Sequence, residues 1–180
     1  MKSGKKWLYP LLAALLPSFA LAGGDFTQYG YPNVVAALTL NPYDYVRLGI
    51  GGAVLTVPQG AFGSDPVRFE LLRGDSSAWQ ALAPAGQKVV YAFALRVTDL
   101  KTNQPVLKFT QPLNFSFYSN QITDGAGYLD TSAANPALVS PNPVKPTIRM
   151  YRIGKKFPTG ILTHRISGAE FGWLITVPEA

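Results

Sequence analysis

The 180-residue chain contains no cysteine. That absence excludes disulfides, thiolate nucleophiles, cysteine-ligated metals and a lipid-modified N-terminal cysteine. Histidine is nearly absent too, since His164 is the only one, and a histidine-based zinc or copper site needs several suitable ligands. No G-x-S-x-G elbow accompanies His164 to suggest a Ser-His-Asp hydrolase. Charge is sparse: Asp, Glu, Lys and Arg make up 14% of the chain, against roughly 25% in average soluble domains. The ten carboxylates, from Asp25 to Glu179, are scattered, mostly in turn-like contexts or on polar strand faces. No pair stands out for carboxylate-based hydrolysis. Asp124-Gly-Ala-Gly-Tyr-Leu-Asp130 offers two oxygens where calcium wants six to eight. These gaps predict a protein that is not an enzyme and uses neither cofactor nor metal.

The N-terminus carries the clearest positive signal. Lys2, Lys5 and Lys6 precede an apolar stretch from Trp7 to Leu21 that ends in Ala20-Leu21-Ala22. A basic region, a short apolar region and an A-x-A site form a cleaved export signal; Pro10 and Pro17 interrupt a stretch already short for a membrane span. Residues 1–22 are therefore expected to be removed, leaving 23–180 as a single domain without a transmembrane span, in the periplasm, at the cell surface or secreted. The mature chain would hold thirteen Lys and Arg against ten Asp and Glu. An exported chain without disulfides fits a bacterial envelope better than a small secreted scaffold.

Strand patterns dominate the rest of the chain. Val89, Tyr91, Phe93, Leu95 and Val97 alternate with Lys88, Val90, Ala92, Ala94, Arg96 and Thr98, so one face is expected in a core and the other at least partly wet. Leu113-Phe115-Phe117, Val67-Phe69-Leu71 and Phe171-Trp173-Ile175-Val177 repeat the pattern. Gly51-Gly52 reads as a two-residue hairpin loop. Only 76–83 reads as helical, with Ser76 as cap and Trp79 and Leu82 on one side. About ten short strands with frequent turns predict an all-β, mainly antiparallel β-sandwich. The structural rival, a small outer-membrane barrel, wants longer strands of about 9–11 residues. The 28 residues from Ser119 to Pro146 carry four prolines, Gly125 and Gly127, and are expected to be a long Pro/Gly-rich loop.

Gly51-Gly52-Ala-Val-Leu-Thr-Val-Pro58-Gln-Gly60-Ala61-Phe62 resembles the opening of ZU5-like β-sandwich modules. Tyr91 to Thr98, the polar turn from Asp99 to Pro105, and Phe109-Thr-Gln-Pro112-Leu113 are similar to the later part of such modules. The resemblance covers about 50–118 and implies an immunoglobulin-like or ZU5-like sandwich that interacts or spaces without catalysing. On physical grounds, Pro58 should end a strand because it donates no ladder bond, and Ala61-Phe62 should tuck an aromatic ring under the sheet end.

Two surfaces are candidates for binding. Lys145, Arg149, Arg152, Lys155, Lys156 and Arg165 lie within 21 residues free of Asp and Glu, a basic face for an envelope or surface protein or an anionic polymer. Export argues against a nucleic-acid partner. Tyr29, Tyr31, Tyr43 and Tyr45 form a possible glycan platform, because a tyrosine ring stacks on the apolar face of a sugar. Arg73-Gly74-Asp75 reads as ordinary turn chemistry, and His164 as a structural histidine. The leading expectation is a non-catalytic exported module that binds a protein or polymer; the alternative is carbohydrate recognition.

Overall fold

The computed structural model describes residues 25–132, 138–141, 147–153 and 156–179, with the side chains of 132–159 outside the description. The expected export signal at 1–22 therefore lies outside the described residues.

Among the described residues, eleven strands form two antiparallel sheets. One sheet runs β1 (Asn33–Leu40), β4 (Val67–Arg73), β5 (Gln87–Asp99), β11 (Phe171–Pro178), β7 (Gly127–Ser132), β8 (Leu138–Pro141). The other runs β2 (Val46–Ile50), β3 (Ala53–Val57), β6 (Lys108–Ser119), β10 (Lys156–Gly168), β9 (Thr147–Ile153). Among the described residues neither sheet closes into a barrel. The architecture is an all-β sandwich, as the alternating runs predict.

Local chemistry explains the connections. Gly51 and Gly52, with φ of 55° and 86°, take the two positive φ values of the hairpin joining β2 to β3. β3 stops before Pro58, and Phe62 then stacks on Phe69 at 5.7 Å and meets Phe109 edge-on at 5.0 Å. Between the sheets, Phe93 of β5 stacks on Phe115 of β6 at 4.3 Å, with Leu55, Phe69, Leu71, Leu113, Leu162 and Ile175 buried around them.

The sandwich has a further layer that the alternation did not predict. The outer face of β5 is wet at its ends, where Lys88 is exposed and Arg96 and Thr98 half-buried, but covered at its centre: Ala92 and Ala94 are fully buried beneath Phe26, Tyr31 and Trp79. Residues 25–31 form a strap across this face. Trp79 Nε1 donates to the Gly30 carbonyl at 3.0 Å, and the Tyr31 hydroxyl shares a 2.7 Å hydrogen bond with Thr131 Oγ1. Close approach depends on glycine. A Cβ on Gly172 would stand 2.7 Å from the Tyr31 ring, and one on Gly74 would stand 2.5 Å from the Gly30 carbonyl. At the strap's start, Asp25 Oδ1 accepts from Arg96 Nη1 at 3.0 Å. Arg96 also grips Glu70, its cross-strand partner, through Nε at 2.5 Å and Nη2 at 2.9 Å.

Four local expectations are corrected. A register shift between Ile175 and Thr176 marks a bulge at Val90, which turns Val89 to the outer cluster and Val90 to the intersheet core. The helix α1 (Ser76–Trp79) is capped by Asp75, whose carboxylate accepts from Ser77 N at 2.9 Å; Ser76 lies inside the helix. Trp79 is buried while Leu82 is 40% exposed. Finally, 119–146 is not one long loop, because it contains β7 and β8, and β7 pairs with β11 from Gly127↔Thr176 to Ser132↔Phe171. Gly125 does lie in a turn, but at Gly127 the partner strand outweighs local turn chemistry.

The Arg73-Gly74-Asp75 tripeptide is consumed by structure. The Arg73 guanidinium lies 3.6 Å over the Tyr91 ring, Gly74 N donates to the Ala92 carbonyl, and Asp75 caps α1.

Candidate functional site

The four tyrosines do not form one platform. Tyr31 is fully buried, pinned by Thr131 and packed 5.1 Å from Trp79, so its ring is withdrawn from any ligand. Tyr29 is half-buried beside Trp79 and Leu82 on a shallow groove of about 260 Å³. Tyr43 and Tyr45 are 84% and 63% exposed in the loop between β1 and β2. The eight-residue strand β1 lies between the pairs, a span of roughly 23 Å at about 3.3 Å per residue.

The β1–β2 loop is braced from within. Asn41 N donates to Asp44 Oδ2 at 2.7 Å, Asp44 N to the Asn41 carbonyl at 3.0 Å, and Gly60 N to the Pro42 carbonyl at 2.7 Å. Two large rings are thus displayed on a turn held by three hydrogen bonds to its own backbone.

The basic stretch is described only in part. Lys145 and Lys155 lie outside the described residues; Arg149 and Arg152 sit on β9, an edge strand, and Lys156 opens β10, their side chains outside the description. Arg165 is exposed on β10.

A second constellation is not apparent from the sequence. His164 follows the alternation of Leu162 and Ile166 on β10, both core residues, and its ring lies 4.4 Å from that of Tyr128 on the opposite sheet. His164 therefore points between the sheets. Asp130 stands two residues beyond Tyr128 on β7 and opposite Trp173 of β11, which puts its carboxylate on the inward face as well. Both line a cleft of about 470 Å³ with Leu107, Lys108, Phe109, Arg165, Ile166, Glu170, Phe171 and Trp173. The signal that identifies them is strand parity: each falls on the same face as core neighbours.

The electrostatics of the cleft follow from burial. Desolvation raises the pKa of Asp130 and lowers that of His164, so the imidazole is neutral at pH 7. Asp130 has no hydrogen-bond or ion-pair partner among the described residues. The Tyr128 hydroxyl is buried and has no hydrogen-bond partner among the described residues, and desolvation pushes its pKa up. Among the described residues no group of three or more His, Asp or Glu is placed to hold a metal ion, and no helix is long and apolar enough to cross a membrane.

Asp130 gives a stability test with a definite sign. A carboxyl whose folded-state pKa is raised favours folding fully below the unfolded value, and that contribution is lost as pH rises through the folded one. Asp130→Asn is therefore expected to stabilise the protein at pH 7, with the gain shrinking towards pH 3. Urea midpoints across that range check it; a gain that does not depend on pH would contradict it.

Fold and cleft together define an all-β sandwich with a polar-floored opening between its sheets. Comparison with protein-family models, with curated proteins and with solved structures finds no match for the chain.

Proposed function

We propose that this chain is a non-catalytic, exported β-sandwich module, of the immunoglobulin-like or ZU5-like kind, that binds a protein or polymer partner in the cell envelope. The observation that carries the reading is the pair Tyr43 and Tyr45, 84% and 63% exposed on an internally braced loop. Large aromatic rings held in water on a preorganised turn lose little entropy on contact and supply much of the energy in recognition surfaces. The basic, apolar and A-x-A pattern at 1–22 supports export.

A photo-crosslinking residue in place of Tyr43, in the exported protein within its native envelope, tests this directly. A discrete adduct identifies the partner as protein or polymer. Tyr43→Ala/Tyr45→Ala is expected to weaken binding of the identified partner by about 30-fold. Affinity that falls steeply with salt would place the contact on the basic stretch instead. Binding to neutral glycans, lost in the double variant, would specify the carbohydrate form of the reading. Undiminished binding by the double variant would overturn the role given to the loop.

A further inference from the structure

The cleft between β7, β10 and β11 lies apart from the β1–β2 loop and has a chemistry of its own. Its floor carries an inward carboxylate, Asp130, without a counter-ion among the described residues. A half-buried carboxylate in that state is a liability for folding unless something meets it. The walls are aromatic: Phe109, Phe171 and Trp173. Aromatic faces carry negative quadrupole density and attract cations, most strongly for tryptophan.

Among the described residues, the remaining charges of the cleft do not answer the carboxylate. Lys108 and Arg165 line the cleft but are exposed, and neither forms an ion pair with Asp130. Glu170, in the turn from β10 to β11, adds a second acid and balances one of them. His164, neutral at pH 7 through burial, adds no positive charge. The cleft volume of about 470 Å³ falls within the roughly 300–1,000 Å³ of small-molecule sites.

We infer that this cleft binds a small organic cation, its protonated amine at Asp130 and its apolar body against Phe109, Phe171 and Trp173. An inorganic cation fits poorly, because two carboxylates, Asp130 and Glu170, between aromatic walls offer too few oxygens. An organic anion would set its charge against Asp130 and the aromatic faces. An amine answers both features of the floor at once.

Three probes of matched shape separate the alternatives: phenylpropylamine, phenylpropanol and phenylpropionate. Each is titrated into the folded protein while the indole N–H resonance of Trp173 is followed by NMR, with that of Trp79 as an internal reference. The amine is expected to bind at least about tenfold tighter than the alcohol, through a charge-assisted hydrogen bond, and the propionate weakest. Asp130→Asn is expected to abolish the preference for the amine while leaving the affinity for the alcohol unchanged. Phe171→Leu keeps the carboxylate and is expected to weaken the amine and the alcohol alike. Equal affinity for amine and alcohol, tighter binding of the propionate, an undiminished preference in Asp130→Asn, or a Trp173 resonance unmoved by all three probes would each overturn the inference.

Discussion

Phe93→Ala is expected to cost about 3–5 kcal/mol of folding stability, the usual range for deleting a buried aromatic side chain. Phe93 is fully buried and lies between two further rings, Phe115 at 4.3 Å with planes 15° apart and Trp173 at 5.2 Å with planes 28° apart. Phe115 belongs to the opposite sheet, so the stack is part of what holds the two layers together. Removing the middle ring opens a cavity and breaks both stacked pairs, along with a tilted contact to Tyr91 at 5.7 Å, such pairs being worth about 0.5–1.5 kcal/mol each beyond their area. Domains are stable by only about 5–15 kcal/mol, so the variant should sit near the edge of folding. Urea unfolding checks this, with a much lower midpoint and a similar slope expected. Phe93→Leu keeps most of the volume and should lose less. A loss below about 1 kcal/mol for the alanine variant would show that the stack does not organise the core.

Arg96→Ala is expected to cost about 3 kcal/mol at pH 7, because removing one partner leaves a buried carboxylate uncompensated. Glu70 is only 4% exposed and receives two hydrogen bonds from Arg96. The remaining cation, Arg68, reaches it at 3.2 Å from a largely exposed position, where an ion pair is worth little. The hydrogen bonds from Arg96, helped by Arg68, hold the Glu70 pKa below its ordinary value. A carboxyl depressed in this way lends stability above its unfolded pKa and loses it as pH falls through the folded value. The cost of Arg96→Ala should therefore be greatest near neutrality and shrink in acid. Burial works against ionisation of Asp25, yet hydrogen bonds from Thr27 and the attraction of Arg96 keep its pKa low, so the strap shares in the loss. A double variant, Glu70→Gln/Arg96→Met, removes both charges and should recover most of the stability. Chemical denaturation from pH 3 to pH 7 measures all of this, and a cost independent of pH would refute the assignment.

Much of the sandwich is legible in the sequence because sheets built around one interior impose strict alternation. The inward sets Val67-Phe69-Leu71, Leu113-Phe115-Phe117 and Phe171-Trp173-Ile175-Val177 all lie in or against the intersheet core. Gly51-Gly52 makes its hairpin, and Pro58 comes directly after the last residue of β3. What is not legible depends on the chain meeting itself across long separations. Val89 fails the alternation because a bulge, fixed by pairing with β11, inserts one residue. β7 opens on a glycine that reads as a turn and has the partners of a strand. Ala92 and Ala94 look like an unremarkable outer face until residues 25–31 arrive to cover them. The cleft is hidden for the same reason: Asp130 and His164 are 34 positions apart, and only the register of two sheets brings them to one opening. Tyr31, grouped with Tyr43 and Tyr45 by composition, belongs to the interior because Gly172 leaves its ring a seat.

Residues 25–31 pair with no strand; buried side chains and the hydrogen bonds of Trp79 to Gly30, Tyr31 to Thr131 and Arg96 to Asp25 fasten them to the sheet. They join no ladder, yet they bury Phe26 and Tyr31 completely against Leu72, Ala92, Ala94 and Leu174. One sheet is thus sealed on both sides, its second seal supplied by seven residues that add no rung to it.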